Sequence, residues 1–327
     1  MPCSPDAPAE APMLRLGHRL LRAVALALAI LAVCCGRAFA GSRVVVVTAE
    51  RSGAHEETLV ALRNALAQDL PDGEVAVFGV RDLERATLAD ARIVVTIGTQ
   101  AAKAVGIRNP STPVLHTLIP RDAFDLIQYG PHAGRYSAIF LDQPVHRQIA
   151  LLNIALPHKP AVALLSSPAS DELARRLASV AREQQLRANI EKVSSADEIY
   201  PALERLLDEP AVLVALPDST LFNSYTIQNV LLTSYRHRAP LVGFSPAYVR
   251  AGALLALYST PAQIARQAAD AVRHVLAGGG LPPPQAPREF EIATNPNVAR
   301  SLAIELDSPE RIAERLRQRE GRPEVKP

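Results

Sequence analysis

Along the chain, short apolar runs alternate with segments that carry an apolar residue every three or four positions. The runs are RVVVVT (43–48), EVAVFGV (74–80), RIVVTIG (92–98), TPVLHTLI (112–119), YSAIFL (136–141), AVALLS (161–166), NIEKV (189–193), AVLVAL (211–216), PLVGFS (240–245) and ALLALY (253–258). Most are apolar throughout rather than alternating, the pattern of strands covered on both faces. Between them, Leu59, Leu62, Leu66 and Leu70 fall on one helical face, as do Leu173, Leu177 and Val180, and Ile264, Ala268, Val272 and Val275. Strand–helix alternation of this kind specifies an α/β fold, with parallel sheets joined by right-handed crossovers.

So many strands exceed one ordinary sheet, and Tyr129-Gly130-Pro131-His132-Ala133-Gly134 interrupts the rhythm. The pattern therefore predicts one lobe over 41–135 and a second over 140–248. A second break at Ala247 to Gly252 is expected to return the chain, placing 253–276 with the first lobe. GGGLPPPQAP (278–287) reads as a connector and REFEIA as a further strand. Ser308-Pro309-Glu310 opens a terminal helix, a cap residue followed by proline. Part of 285–318 is assigned to the second lobe, and 319–327 to a frayed tail.

The first 40 residues change the picture of where the protein works. Arg15, Arg19 and Arg22 precede the apolar run AVALALAILAVCC (23–35), and Ala38-Phe39-Ala40 offers a small-residue cleavage site. The run is too short to span a bilayer, which takes about 20 residues. A signal peptide cleaved after Ala40, with release to the periplasm, is expected ahead of acylation at Cys34 or Cys35. All three cysteines (Cys3, Cys34, Cys35) lie in this leader. The chain's 35 basic and 33 acidic residues become equal in number once the leader's four arginines and two acids are removed. A neutral mature chain argues against nucleic-acid binding and against a basic membrane-surface protein.

Motifs for catalysis and cofactors are few. The eight histidines are scattered, with no HExxH or metal-spaced cluster, and neither GxGxxG nor GxxxxGK[ST] occurs. No cofactor and no metal are expected. Gly243-Phe244-Ser245-Pro246-Ala247 approaches a nucleophile elbow, but Tyr248 to Gly252 is read as leading into another strand rather than a helix. His237, between Arg236 and Arg238, reads as a cation at a helix C-terminus. A non-catalytic protein is the expectation.

The positive signal is positional. Ligands of open parallel sheets sit beyond the carboxyl ends of the strands. The strands deliver there Glu50-Arg51-Ser52, Gly98-Thr99-Gln100, Pro120-Arg121-Asp122, Asp142-Gln143, Ser166-Ser167 with Ser170-Asp171, Asp218-Ser219-Thr220, and Ser245 with Tyr248. Helix capping accounts for some of these; Ser170 and Thr99 are good cap residues. Polar loop ends gathered on one edge of two facing lobes make a cleft. The candidate ligand-binding set is Ser52, Thr99, Gln100, Asp122, Asp142, Ser167, Asp218, Ser219, Phe222, Ser245 and Tyr248. Asp218-Ser219-Thr220 is expected both to cap its helix and to line the cleft.

The stretches LPDSTLFNS, YRHRAP, LVGFSPAYVRAGALLALYSTPAQIARQAADAVRHVLAGG and FEIATNPNVARSLAIEL carry a family resemblance, as do VVTIGTQAAKAV and TPVLHTLI earlier. The chain resembles the ABC-transporter substrate-binding family whose characterised members carry tryptophan or tyrosine-like amino acids. The resemblance implies a type I periplasmic-binding-protein fold: two Rossmann-like lobes, joined by hinge crossings, closing on a ligand. It also implies that Thr99 opens a helix that holds a ligand carboxylate and that Asp218 pairs with a ligand ammonium. The family commonly has Asp-Pro after the fourth strand and Asn-Val-Thr-Gly before the crossing; here stand Ile119-Pro120-Arg121-Asp122 and Tyr136-Ser137-Ala138-Ile139. Without any tryptophan, Phe222, Tyr225 and Tyr248 are the aromatic candidates. The implied role is a monomeric periplasmic component of an importer that hands a small polar ligand, such as an amino acid, to an inner-membrane ABC permease. The alternative is a sensing module for a membrane kinase or chemoreceptor.

Overall fold

The computed structural model describes residues 43–49, 53–70, 73–156, 158, 161–218 and 220–321. The expected leader and its cleavage site, Ser52 and Ser219 lie outside the described residues, as does the tail beyond Gly321.

The first sheet holds β1 (Val44–Thr48), β2 (Val75–Gly79), β3 (Ile93–Ile97), β4 (Val114–Ile119) and β5 (Tyr136–Phe140), in the order β2-β1-β3-β4-β5. All its pairings are parallel. Every residue of β1, β3 and β5 is buried, as unbroken apolar runs require when both faces are covered. Helices α1 (Gly53–Leu66), α2 (Thr99–Arg108) and the short α3 (Arg121–Asp125) follow strands of this sheet.

The second sheet holds β6 (Ala161–Ser166), β7 (Ala188–Lys192), β8 (Ala211–Val214), β9 (Leu241–Gly243), β10 (Leu255–Tyr258) and β11 (Glu291–Thr294). Their order is β11-β10-β9-β8-β6-β7, parallel except for β11, which runs antiparallel along the edge. Around it lie α4 (Val145–Ala155), α5 (Asp171–Glu183), α6 (Ile199–Leu206), α7 (Ile227–Arg236) and α8 (Pro246–Ala251). The long α9 (Pro261–Leu276) belongs elsewhere, and α10 (Pro296–Ser301) and α11 (Pro309–Glu320) complete the chain. Each run of the sequence pattern forms a strand, and the two-sheet α/β architecture is the expected one.

The return of 253–276 is corrected in one respect. Its strand, β10, stays in the second sheet beside β9, and only its helix, α9, leaves. Ile264, Ala265, Ala268 and Val272 of α9 share a core with Leu59, Leu62 and Leu66 of α1 and with Val44 and Ile93 of the first sheet. The physical reason is that an apolar run marks a strand as buried but does not say which sheet buries it. The crossing therefore falls at Ser259–Thr260. There Thr260 accepts a hydrogen bond from the Gln263 backbone N–H at 3.2 Å, and Gln263 Oε1 accepts one from the Thr260 N–H at 2.8 Å, a capping box that starts α9.

Two further corrections concern helices. Pro246–Ala251 is helical, so the GFSPA segment opens a short helix before β10 instead of passing straight into a strand. Arg319 and Glu320, assigned to a frayed tail, complete α11, and Glu320 is held by an ion pair to Arg147 at 2.6 Å. In all, three segments cross between the lobes: 141–144 after β5, 259–260 before α9, and 286–290 before β11. Among the described residues, no helix is long and apolar enough to cross a membrane.

Candidate functional site

The carboxyl ends of the two sheets face one another across a cavity of about 680 Å³. Leu118 and Leu141 form its wall from the first lobe. Val214, Pro217, Val242 and Phe244 form the opposite wall, Leu151 and Leu152 of α4 join them, and Gln143 and Ser259 come from the crossings. The walls are mainly apolar; the charged groups are Glu57 and Asp142 on the first-lobe side and Arg250 on the second, with Ser245, Gln148, Tyr258 and Thr260 as further polar lining. Such a surface suits a ligand with an apolar body and charged or hydrogen-bonding ends.

Asp142 lies in the crossing after β5, half-buried, and accepts a hydrogen bond from the Arg121 backbone N–H at 2.7 Å. Burial pushes its carboxyl above the ordinary range; the Arg121 N–H opposes that rise, and the charge of Asp122 adds to it. A raised folded-state value means that the folded chain takes up a proton before the unfolded one as pH falls. Stability from this group is then full below the unfolded value and is lost as pH rises through the folded one. At neutral pH the ionised carboxylate is a cost. Asp142→Asn, which keeps an acceptor for the Arg121 N–H, is expected to be at least as stable as wild type at pH 7. Its advantage should shrink towards pH 4, as denaturant midpoints at the two pH values would show.

The other expected residues are distributed differently. Ser245 lines the cavity, at the N-cap of α8. Thr99 is the first residue of α2, half-buried and off the cavity, and makes no capping bond, because Gly98 (φ +89°) holds the N-cap. Glycine is favoured at 98 by that positive φ, and a Cβ there would also stand 2.3 Å from the His55 ring and make it move. Gln100 is exposed and also off the cavity. Asp122 reaches across the lobes to Arg176 at 3.3 Å, outside the cavity lining. Burial raises its carboxyl, and Arg176 opposes the rise.

Ser167 and Asp218 are brought together, within their own lobe. Asp218 is 4% exposed and absent from the cavity wall. One of its oxygens accepts from both the Ser167 and the Ser170 hydroxyl, each at 2.6 Å, and the other from the Thr220 N–H at 2.9 Å. Those hydroxyls in turn accept from the backbone N–H groups of Ala169 and Ser167. Asp218 thus ties the β6–α5 loop to the loop after β8 and caps no helix, because α7 begins only at Ile227. Ser170, at the N-cap of α5, spends its hydroxyl on Asp218 instead of on its own helix.

Phe222, expected at the ligand, is 4% exposed and packed in the second-lobe core. Tyr248 stands behind the wall: its ring packs on Phe244 at 4.6 Å, and its hydroxyl donates to the Phe222 carbonyl at 2.8 Å. Burial raises that phenol to about 12. The aromatic side chains that line the cavity are instead Phe244 and Tyr258. Phe244, Glu57, Arg250 and Ser259 escaped the sequence reading. Phe244 alone had a local signal, as the neighbour of Ser245 at a strand end. No histidine lines the cavity, so Ser245 has no imidazole beside it there, and among the described residues no cluster of His, Cys, Asp and Glu could hold a metal.

Residues 80–316 match the family model described as ABC transporter substrate binding protein. Among solved structures, the ABC domain in complex with L-Trp from Streptococcus pneumonia is 16% identical, covering 84% of this chain and 98% of that one, with a TM-score of 0.63. A substrate binding protein with adhesive properties from Clostridium difficile, in a ligand-free, open structure, is 16% identical over 82% of this chain and 96% of that one, with a TM-score of 0.66. A periplasmic ribose ABC transporter structure from Conexibacter woesei is 15% identical over 84% of this chain and 98% of that one, at 0.53. At these identities the likeness is one of fold. No curated protein matches the chain.

Proposed function

We propose, from the premise that the chain belongs to the ABC transporter substrate binding protein family, that it binds an amino-acid-like solute outside the cytoplasm and presents it to an importer. One observation carries this reading: a mainly apolar cavity of about 680 Å³, walled by both lobes, with carboxylates on one side and an arginine on the other. An ammonium near Asp142 and Glu57, a carboxylate near Arg250 and an apolar side chain against Leu151, Leu257 and Phe244 would use all three features. A sugar would leave most of the apolar wall without a partner. The L-Trp complex of the S. pneumonia structure supports the same choice over the ribose-type neighbour. Contacts to both lobes would favour a closed form, which a permease can recognise by its shape.

A thermal-shift screen of the chain from Gly41, with amino acids, organic acids and sugars, tests the reading. A ligand at a hundred times its dissociation constant adds about 2.7 kcal/mol. For a lobe-sized unit that is a rise of several degrees, at roughly 2–4 °C per kcal/mol. Apolar amino acids are expected to give the largest rise. A rise with sugars alone would overturn the ligand class proposed.

A further inference from the structure

The three interlobe crossings are joined sideways by side chains. Gln143, in the first crossing, donates through Nε2 to Ser259 Oγ in the second at 2.8 Å. Ser259 Oγ donates to the Glu289 carbonyl in the third at 2.6 Å. One hydroxyl therefore touches all three segments about which the lobes can turn. On its other side Gln143 is fixed by Arg147, a cation only 6% exposed, whose Nη1 donates to Gln143 Oε1 at 2.9 Å and to the Pro287 carbonyl at 3.0 Å. Arg147 also donates to the Arg288 carbonyl at 3.3 Å and to Glu320 at 2.6 Å, with its guanidinium 4.5 Å over the Phe290 ring. A guanidinium only donates, so it forces the Gln143 amide to present oxygen towards Arg147 and nitrogen towards Ser259.

Gln143 and Ser259 also form part of the cavity wall. We infer that the Gln143–Ser259–Glu289 chain is the element through which cavity occupancy reaches the hinge, with Arg147 as the residue that positions Gln143. A ligand atom that accepts from Gln143 or competes for Ser259 acts on all three crossings at once. A ligand confined to one lobe's wall would act on none. The inference rests on the proposed solute-binding role for its purpose, but the coupling itself is a property of the ligand-free chain.

That separation sets the test. All cysteines lie in residues 1–40, so the chain from Gly41 accepts a unique label pair at Ile107→Cys and Tyr225→Cys, which are 85% and 91% exposed on opposite lobes. Electron–electron spin distances are measured without ligand. Ser259→Ala removes the shared hydroxyl and both of its hydrogen bonds, and losing each neutral bond shifts the ratio of two hinge states by about 2- to 12-fold. A broader or displaced distance distribution is expected, with Ser259→Thr restoring the wild-type one. Should Ser259→Ala fail to fold by circular dichroism, Gln143→Leu breaks the same link. Distributions that superimpose on wild type in a folded variant overturn the inference. A failed ligand screen would leave these distances unaffected, and unchanged distances would leave ligand binding unaffected.

Discussion

Arg147→Met is expected to lower the stability of the second lobe by about 3 kcal/mol, the low end of what removing one partner of a buried ion pair costs. The low end applies because Glu320, its carboxylate partner, keeps 34% of its side chain exposed and can recover water. The rest of the loss comes from the Gln143, Pro287 and Arg288 oxygens, which receive hydrogen bonds from this one side chain. Met replaces the aliphatic stem, so the change isolates the guanidinium. Arg147→Lys should recover only part of the loss, because an ammonium cannot span Glu320 and the crossing carbonyls in one plane. Denaturant midpoints would show it. A Met variant within about 1 kcal/mol of wild type, the worth of a surface ion pair, would mean that the C-terminal helix is held by other contacts.

Asp218→Ala is expected to cost about 2–4 kcal/mol, since it strands two buried hydroxyls and removes the acceptor of the Thr220 N–H. Asp218→Asn should be milder, at about 1 kcal/mol or less, the net worth of an ordinary hydrogen bond. The amide oxygen can keep the Thr220 N–H, and the two amide hydrogens can face the Ser167 and Ser170 oxygens once those hydroxyls rotate. Ligand affinity should be almost unchanged in the Asn variant. A tenfold loss of affinity at unchanged stability would show instead that the carboxylate turns into the cleft and meets the ligand, the role its family position implies.

These two residues show where the sequence is legible and where it is not. Unbroken runs such as VVVVT and AVALLS, alternating with helical faces, read as strands buried on both faces, so the strands and the α/β fold follow from the pattern along the chain. Sheet membership of β10 does not follow, because burial of Leu255 and Leu257 is the same in either lobe. Strand-end polarity points to Asp142 and Ser245, which reach the cavity, and equally to Thr99 and Asp218, which do not line it. The difference lies in side-chain direction and in what neighbouring loops demand: Ser167 and Ser170 claim the Asp218 carboxylate. Arg147 is farther from reach. Its partners lie up to 173 residues away in sequence, and no local pattern announces a helix arginine buried against two of the crossings.

Under the proposed function, a ligand in the interlobe cavity draws the two lobes together. Small-angle X-ray scattering of the chain from Gly41, with and without a saturating ligand identified by the thermal-shift screen, tests it most directly. A smaller radius of gyration in the saturated sample is the predicted result. An unchanged radius, with binding shown to be complete by titration on the same sample, would contradict it.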